Sequence, residues 1–363
     1  MLYNGSNIYA GTMSGNIYKS TDNGSSWTII NTGMNVSYIW SLNITGNFVF
    51  AATEQGVFKY NGSSWTITSL SGKDVHALTS VNGIIYAATW GYGVYKSTDN
   101  GSTWTQINNG LGGFLALQSI TSTSNGNVYA GTVGGGVFET TDGTNWKQLS
   151  CGYSVIWAMG STPTAVFAGT YGGGLFKSGD NGASWTNVST LNVQFVYSLS
   201  VDATGNVFVS SLTNGVYEST DNGATWTSLG MSGSNVCSIT ANSTSNNIIA
   251  GTKDGKVFKI SGAQAITAVN KIDTLPVDFK LSQNYPNPFN PATTIEFALP
   301  KAGKYSLKVY NVLGQEVATL IDNELGAGYQ KVTFNANRMA SGIYIYRLSG
   351  NNVNMSKKMI LMK

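Results

Sequence analysis

The stretch Gly93–Trp104, GVYKSTDNGSTW, constrains the chain more than any other. It recurs with small changes at Gly15–Trp27, Gly136–Trp146, Gly174–Trp185 and Gly215–Trp226, and in a worn form at Gly56–Trp65. Each copy reads as a short apolar strand, a polar turn built on Asp-Asn-Gly, and a Trp that opens the next strand. Asp and Asn side chains cap their own backbone in turns, and Gly supplies positive φ at little cost, so this is hairpin chemistry. One copy would carry little weight; six between residues 15 and 226 make a repeat protein.

Three further columns keep step with the hairpin. Tyr9–Thr12 (YAGT) returns at Phe50–Thr53, Tyr86–Thr89, Tyr129–Thr132, Phe167–Thr170, Phe208–Ser211 and Ile249–Thr252. An apolar pair precedes each turn, from Ile17-Tyr18 to Val257-Phe258. A small-then-large pair, such as Ser41-Leu42 or Ala77-Leu78, marks a third strand ahead of the YAGT-type strand. The unit is therefore four strands, and four-strand units of about 40 residues are the signature of a β-propeller. Seven copies of two columns predict seven blades. The first unit shows no inner strand and the seventh no Trp strand, although Ala265–Val269 could substitute. Two explanations stand: an N-terminus interior to a longer reading frame, or a ring with a three-stranded blade.

The copies Ser20–Trp27, Ser97–Trp104, Ser178–Trp185 and Ser219–Trp226 resemble the Asp-box, or BNR repeat, Ser/Thr-x-Asp-x-Gly-x-x-Trp. That motif occurs in sialidases, sortilin-like receptors, xyloglucanase-like glycosidases and photosystem-assembly propellers. Thr140–Trp146 is one residue short in the turn, and Tyr60–Trp65 lacks the Asp. The resemblance implies that Asp22, Asp99, Asp142, Asp180 and Asp221 cap hairpins. It also implies that Trp27, Trp104, Trp146, Trp185 and Trp226 pack between sheets. It specifies a fold and not an activity.

Charge divides the chain. Residues 1–260 hold 9 Lys, no Arg and 11 acids, whereas residues 261–363 hold 11 basic and 6 acidic residues. Neither part carries the dense basic stripe of a nucleic-acid binder. Cys151 and Cys237 are too few for a disulfide framework or a Cys-rich zinc site. His76 is the sole histidine, and the expectation is no metal and no cofactor. No apolar run approaches the roughly 18 residues of a membrane span, and the first residues, MLYNGSNIYAGT, show no export signal.

A second composition begins at Asn284. Strands are predicted at about Thr294–Ala298, Tyr305–Tyr310, Glu316–Ile321, Gln330–Asn335, Ile343–Leu348 and Val353–Leu361, enough for a small Ig-like β-sandwich. The segment closely resembles the type A C-terminal sorting domain of type IX secretion cargo. The likeness rests on Asn284-Tyr285-Pro286-Asn287-Pro288-Phe289-Asn290-Pro291, Tyr310–Val317 (YNVLGQEV), Ala340–Leu348 (ASGIYIYRL) and the basic end Lys357–Lys363. It implies contact with the type IX secretion machinery through residues 284–363, and a secreted or outer-membrane-surface location. Such cargo also carries an N-terminal export signal, a second reason to expect an incomplete N-terminus. The domains expected are thus an all-β propeller over 1–262, a linker over 263–283 and the sorting sandwich over 284–363.

In a four-stranded blade the turns between strands two and three share a face with the links from strand four to the next inner strand. By analogy with the family, ligand sites lie there, opposite the Asp-boxes. Its carboxylates are Glu54, Asp74 and Asp254; its aromatics include Tyr38, Trp40, Trp90, Tyr92, Phe114, Tyr153, Trp157, Tyr171, Phe195 and Tyr197. Trp90, Tyr92, Tyr171, Tyr38 and Tyr153 are the candidate ligand contacts. Trp40, Trp157 and Tyr197 are expected to fill space between blades, and His76 to be structural. A sialidase resembling its family would need an arginine triad for the substrate carboxylate, and the only arginines, Arg338 and Arg347, lie in the tail. A glycoside hydrolase would need two carboxylates roughly 5–10 Å apart, drawn from Glu54, Asp74 and Asp254. The reading reached is non-catalytic recognition of an extracellular glycan or protein, with glycoside hydrolysis as the alternative. A weaker third reading is an assembly-factor propeller that docks on a membrane-protein partner.

Overall fold

Short apolar strands separated by Gly- and Asn-rich turns pair with their nearest neighbours in sequence, and that local rule generates nearly the whole molecule. The computed structural model describes residues 1–242, 247–261, 266–271, 279–300, 303–326, 328–337, 339–350 and 353–362, all as strands and turns with no helix among them. It divides into two units, residues 1–271 and 272–363.

The first unit is a propeller of seven four-stranded antiparallel sheets, each in sequence order. Blade two, for example, runs Ile39–Thr45, Phe48–Thr53, Gly56–Tyr60 and Trp65–Ser71. The inner strands of successive blades pack side by side, and that of blade seven meets that of blade one. Both terminal blades are four-stranded: this corrects the sequence reading for the first, and in the seventh the last strand lies where Ala265–Val269 was offered as a substitute. Leu2–Asn4 pairs with Asn7–Gly11, and Ile266–Lys271 pairs with Lys256–Ser261. A three-residue inner strand is too short to show a period of two, so it leaves no visible pattern. The strand Ile266–Lys271 also falls inside the stretch 263–283 expected as linker; residues 272–278 lie outside the described residues.

Apolar side chains are shared between neighbouring blades. Phe50, Val57 and Leu70 of blade two pack with Val75, Leu78 and Ile85 of blade three, and Phe208, Val216 and Leu229 of blade six with Val236, Ile239 and Ile248 of blade seven. Each fully buried large side chain of this kind contributes about 1.5–3 kcal/mol. The repeated aromatic of strand two is the main contributor: Phe50, Tyr129 and Phe167 are completely buried.

That aromatic also explains the glycine of the Asp-Asn-Gly turn. Phe50 approaches Gly101 of the next blade, Phe167 approaches Gly223, and Ile249 of blade seven approaches Gly24 of blade one. A Cβ added to Gly223 would stand 2.7 Å from the Phe167 ring, and φ there is +84°. Only glycine satisfies both the left-handed backbone and the close approach. The ring closes between blades seven and one by these same contacts, together with a hydrogen bond from the Met1 amino group to Ser238 Oγ (3.0 Å).

The second unit is a sandwich. A three-stranded sheet of Lys280–Leu281, Ala292–Leu299 and Gly328–Asn335 faces a four-stranded one of Glu316–Leu325, Gly303–Tyr310, Gly342–Gly350 and Val353–Leu361. Phe289, Ile295, Phe297, Tyr305, Leu307, Tyr346, Leu348 and Met359 fill the core between them. All six predicted strands are present.

Candidate ligand-binding face

The two ends of each blade are built by different chemistry. At the turn end, Ser20 Oγ donates to Asp22 Oδ1 (2.8 Å) and accepts from the Gly24 N–H (2.8 Å). Asp22 in turn accepts from the Ser26 N–H (2.8 Å) and from its hydroxyl (2.6 Å). The same set repeats at Asp99, Asp180 and Asp221. Donation by the hydroxyl and N–H of the residue four positions on holds Asp22, Asp99 and Asp180 down to about 2. Asp142 and Asp221 are also lowered, the first mainly by the Asn145 N–H and the second mainly by the Thr225 hydroxyl.

The tryptophans do not form one class. Trp27 and Trp185 are half-buried and donate within their own turns, to Gly24 O and Gly182 O (both 3.1 Å). Trp104 donates to Thr68 Oγ1 (3.2 Å). Trp146 and Trp65, from the two irregular copies, are buried and donate to carbonyls of the preceding blade, Ile107 O and Ile30 O (both 2.6 Å). Where the turn is one residue short, as before Trp146, or lacks the Asp, as before Trp65, the indole goes deeper and ties two blades together.

At the opposite end the hydroxyl of the YAGT-type column caps the turn between strands two and three. Thr53, Thr89, Thr132 and Thr170 are buried and donate to the carbonyls of Gly56, Gly93, Gly136 and Gly174 at 2.6–2.8 Å. The residue after this threonine is thereby fixed on the face, and it differs in every blade: Met13, Glu54, Trp90, Val133, Tyr171, Leu212 and Lys253.

A second variable column lies beside it. In blades two, three, four, five and seven the pairing of the inner strand with the next strand slips by one residue, between Ile39 and Ser41, Val75 and Ala77, Leu117 and Ser119, Ile156 and Ala158, and Val236 and Ser238. The residue skipped is Trp40, His76, Gln118, Trp157 or Cys237. In blade six Tyr197 holds the same place, immediately before Ser198–Val201. The five register slips are β-bulges, which re-aim a side chain out of the alternation of the sheet. Sequence reasoning missed this column as a column. The available signal was spacing: Ile39 and Leu42 are both buried three residues apart, where an unbroken strand would repeat every two.

The two columns meet in two aromatic clusters. Across blades two and three, Tyr38 stacks on Trp40 (centroids 5.1 Å, planes 13° apart), Trp40 on His76 (4.7 Å, 28°) and His76 on Trp90 (5.0 Å, 19°). Asp74 Oδ1 accepts from Trp40 Nε1 (2.9 Å), and Asp74 Oδ2 lies 3.3 Å from His76 Nε2. His76 Nδ1 faces Gln118 Oε1 at 2.9 Å. Across blades five and six, Tyr171 packs on Trp157 (5.2 Å), edge-on against Phe195 (5.0 Å) and against Tyr197 (6.4 Å). Expected interblade fillers Trp40, Trp157 and Tyr197 are only half-buried, within these clusters.

Of the five candidate contacts, Tyr38, Trp90, Tyr92 and Tyr171 are exposed by 41–47%. Tyr92 lies under the Lys73 ammonium, 4.0 Å from its ring centroid. Tyr153 is a support: its hydroxyl donates to Tyr171 O (2.9 Å) and holds that loop. The three candidate carboxylates are each engaged. Glu54 accepts from the Ser37 and Tyr38 N–H groups (2.5 and 2.9 Å). Asp74 serves Trp40 and His76, and Asp254 accepts from Thr252 Oγ1 and pairs with Lys256 (2.6 Å), which holds its carboxyl low. Among the described residues no group of His, Cys, Asp and Glu could hold a metal ion.

In the second unit the Asn284–Pro291 segment is mostly internal wiring. Asn284 is buried; its amide donates to Pro286 O (3.0 Å) and Thr293 Oγ1 (2.9 Å), and its N–H donates to Tyr346 Oη (2.9 Å). Asn287 Oδ1 accepts from the Ile360 N–H (2.9 Å), Phe289 N–H donates to Ile360 O and Met362 N–H to Phe289 O. Burial pushes the Tyr346 phenol up to about 12. The segment therefore laces the start of the sandwich to its last strand.

Residues 283–362 match the secretion system C-terminal sorting domain family. The second unit is a type IX sorting domain. Residues 72–195, within the propeller, match the DUF6242 β-propeller domain. The sorting domain supports secretion to the cell surface and implies contact with the type IX machinery. No helix of the described residues is long and apolar enough to cross a membrane. No curated protein matches the chain. Among solved structures it is similar to PorZ, a bacterial surface component of the type IX secretion system of Porphyromonas gingivalis (15% identity, TM-score 0.50, 99% of this chain and 59% of PorZ). It is also similar to the GH74 xyloglucanase of Xanthomonas campestris (13%, 0.59, 81% and 56%) and to YCF48 bound to D1 peptide (18%, 0.53, 69% and 85%). The chain thus spans little more than half the length of the first two, and at these identities the likeness is one of fold.

Proposed function

We propose that the propeller is a non-catalytic recognition module, exported through its sorting domain, which binds an extracellular glycan or protein on the face opposite the Asp-Asn-Gly turns. One observation carries the reading. Seven large apolar side chains are exposed among the described propeller residues, and six of them, Met13, Tyr38, Trp90, Tyr92, Phe114 and Tyr171, lie on that face; the seventh is Ile67. Concentration of exposed apolar surface on one face, rimmed by polar groups, marks a binding site in a soluble protein.

The test is binding of the purified chain to arrayed glycans and to extracellular proteins, with Trp90→Ala and Tyr171→Ala as probes. Retention on a ligand that both substitutions abolish, without release of reducing sugar, is the expected result. Sugar release that disappears in Asp74→Asn or Glu54→Gln would replace recognition with hydrolysis. For export, residues 280–363 fused to a periplasmic reporter in a type IX-competent host should bring the reporter to the surface. A reporter left in the periplasm would overturn that part.

A further inference from the structure

Resting on that reading, we infer that the bulged column, Trp40, His76, Gln118, Trp157, Tyr197 and Cys237, is what selects the ligand, and that the ligand is a neutral oligosaccharide. Three observations lead there. The bulge is a backbone device repeated in five blades, and it presents Trp, His, Gln, Trp and Cys in turn, while the residues that flank it hardly change: Ile, Val or Leu before, Ser or Ala after. A scaffold that keeps a costly irregularity and varies only the side chain it presents is using that position to touch something. Bulges of this kind recur next to functional sites for the same reason.

The side chains presented are also unequal around the ring, which gives the face a polarity. Blades two to four offer indole and imidazole faces beside a carboxylate and a primary amide: Trp40, His76, Asp74 and Gln118. Blades five and six offer only phenol, phenyl and indole, from Tyr171, Phe195, Tyr197 and Trp157. The Tyr38, Tyr171 and Tyr197 hydroxyls make no hydrogen bond among the described residues. Flat rings for the C–H face of a sugar, with carboxylate, amide and phenol groups at their edges for hydroxyls, make a complementary set.

Charge then narrows the class. The face carries Glu54, Asp74 and Asp254 against Lys73 and Lys253, and the propeller has no arginine to grip a carboxylate or sulfate bidentately. Four of those groups are already engaged within the fold: Glu54 by the Ser37 and Tyr38 N–H groups, Asp74 by Trp40 and His76, Asp254 by Lys256, and Lys73 by the Tyr92 ring. A neutral glycan fits this balance and a sialylated, uronic or sulfated one does not.

The experiment uses the full chain on arrays of neutral and acidic oligosaccharides, with two sets of variants checked for an unchanged thermal transition. His76→Gln and Gln118→Ala probe the bulged column, and Trp90→Ala and Tyr171→Ala the exposed loops. Neutral glycans should bind in preference to acidic ones. The bulge variants should lose affinity about tenfold or more or change which glycan ranks first. Bulge variants with wild-type affinity and ranking, beside loop variants that bind nothing, would overturn the selecting role and leave the face as the site. A preference for acidic glycans, or capture of a protein alone through Trp90 and Tyr171, would overturn the ligand class. If neither set alters binding, the recognition face itself falls.

Discussion

The two ends of a blade use the same repeat for opposite purposes. At the turn end, residue identity is nearly fixed, and the side chains are consumed by the fold: Asp99 satisfies its own turn, and Gly101 admits the ring of Phe50. At the other end, the backbone is nearly fixed and the side chains are free to differ: Thr89 holds the loop, and Trp90 follows it into solvent. What repeats along this chain is thus the means of attachment, and what varies is what the attachment displays.

Breaking the turn end should therefore cost stability without regard to ligand. The largest effect is expected for Phe167→Ala, which empties a fully buried site shared by blades five and six and should lower stability by about 3–5 kcal/mol in denaturant unfolding. Gly223→Ala should come next, at about 1–3 kcal/mol, because it meets both a left-handed backbone and the same ring; a neutral result would mean that the interblade approach is looser than described. Trp146→Phe should cost about 1–3 kcal/mol, since it strands the buried Ile107 carbonyl, and more than Trp104→Phe, whose indole is bonded at a half-buried hydroxyl. Equal losses would erase the distinction between irregular and full turns.

A pH titration sharpens the comparison further. Asp22, Asp99 and Asp180 sit near 2 against an ordinary 3.8, so their stabilisation is complete above about pH 4 and is lost as pH falls through 2. Acid unfolding monitored by tryptophan fluorescence should be steepest in that window, and Asp99→Asn should make it shallower. The smallest stability effect belongs to the binding face. Trp90→Ala and Tyr171→Ala, which lose ring contacts at a partly exposed surface, should each cost no more than about 1.5 kcal/mol, and a larger loss would show that the exposed rings brace the blades.

Legibility in the sequence follows the same division. The turns were readable because Asp, Asn and Gly have few other reasons to occur in that order, and the tail strands because they alternate over eight or more residues. The inner strand Leu2–Asn4 was not readable because three residues cannot display a period. Trp40 and His76 were visible as residues but not as a displayed column, since a bulge is a relation between two strands and a single strand records it only as an interval of three. Tyr153 was read as a contact because it is aromatic and near the face, and only the hydrogen bond to Tyr171 O shows it to be a buttress.

The lacing of the sorting domain has a consequence for when it can act. Asn287 and Phe289 are tied to Ile360, some seventy positions downstream, so the folded address is absent until the ribosome has passed Leu361. A chain cut short anywhere in the tail would carry the letters of the address without its shape. Pulse-labelled cells making the chain stopped at residues 340 or 352 should show no surface delivery, in contrast to the chain that runs through residue 363, which would tie the address to the last strand of the sandwich.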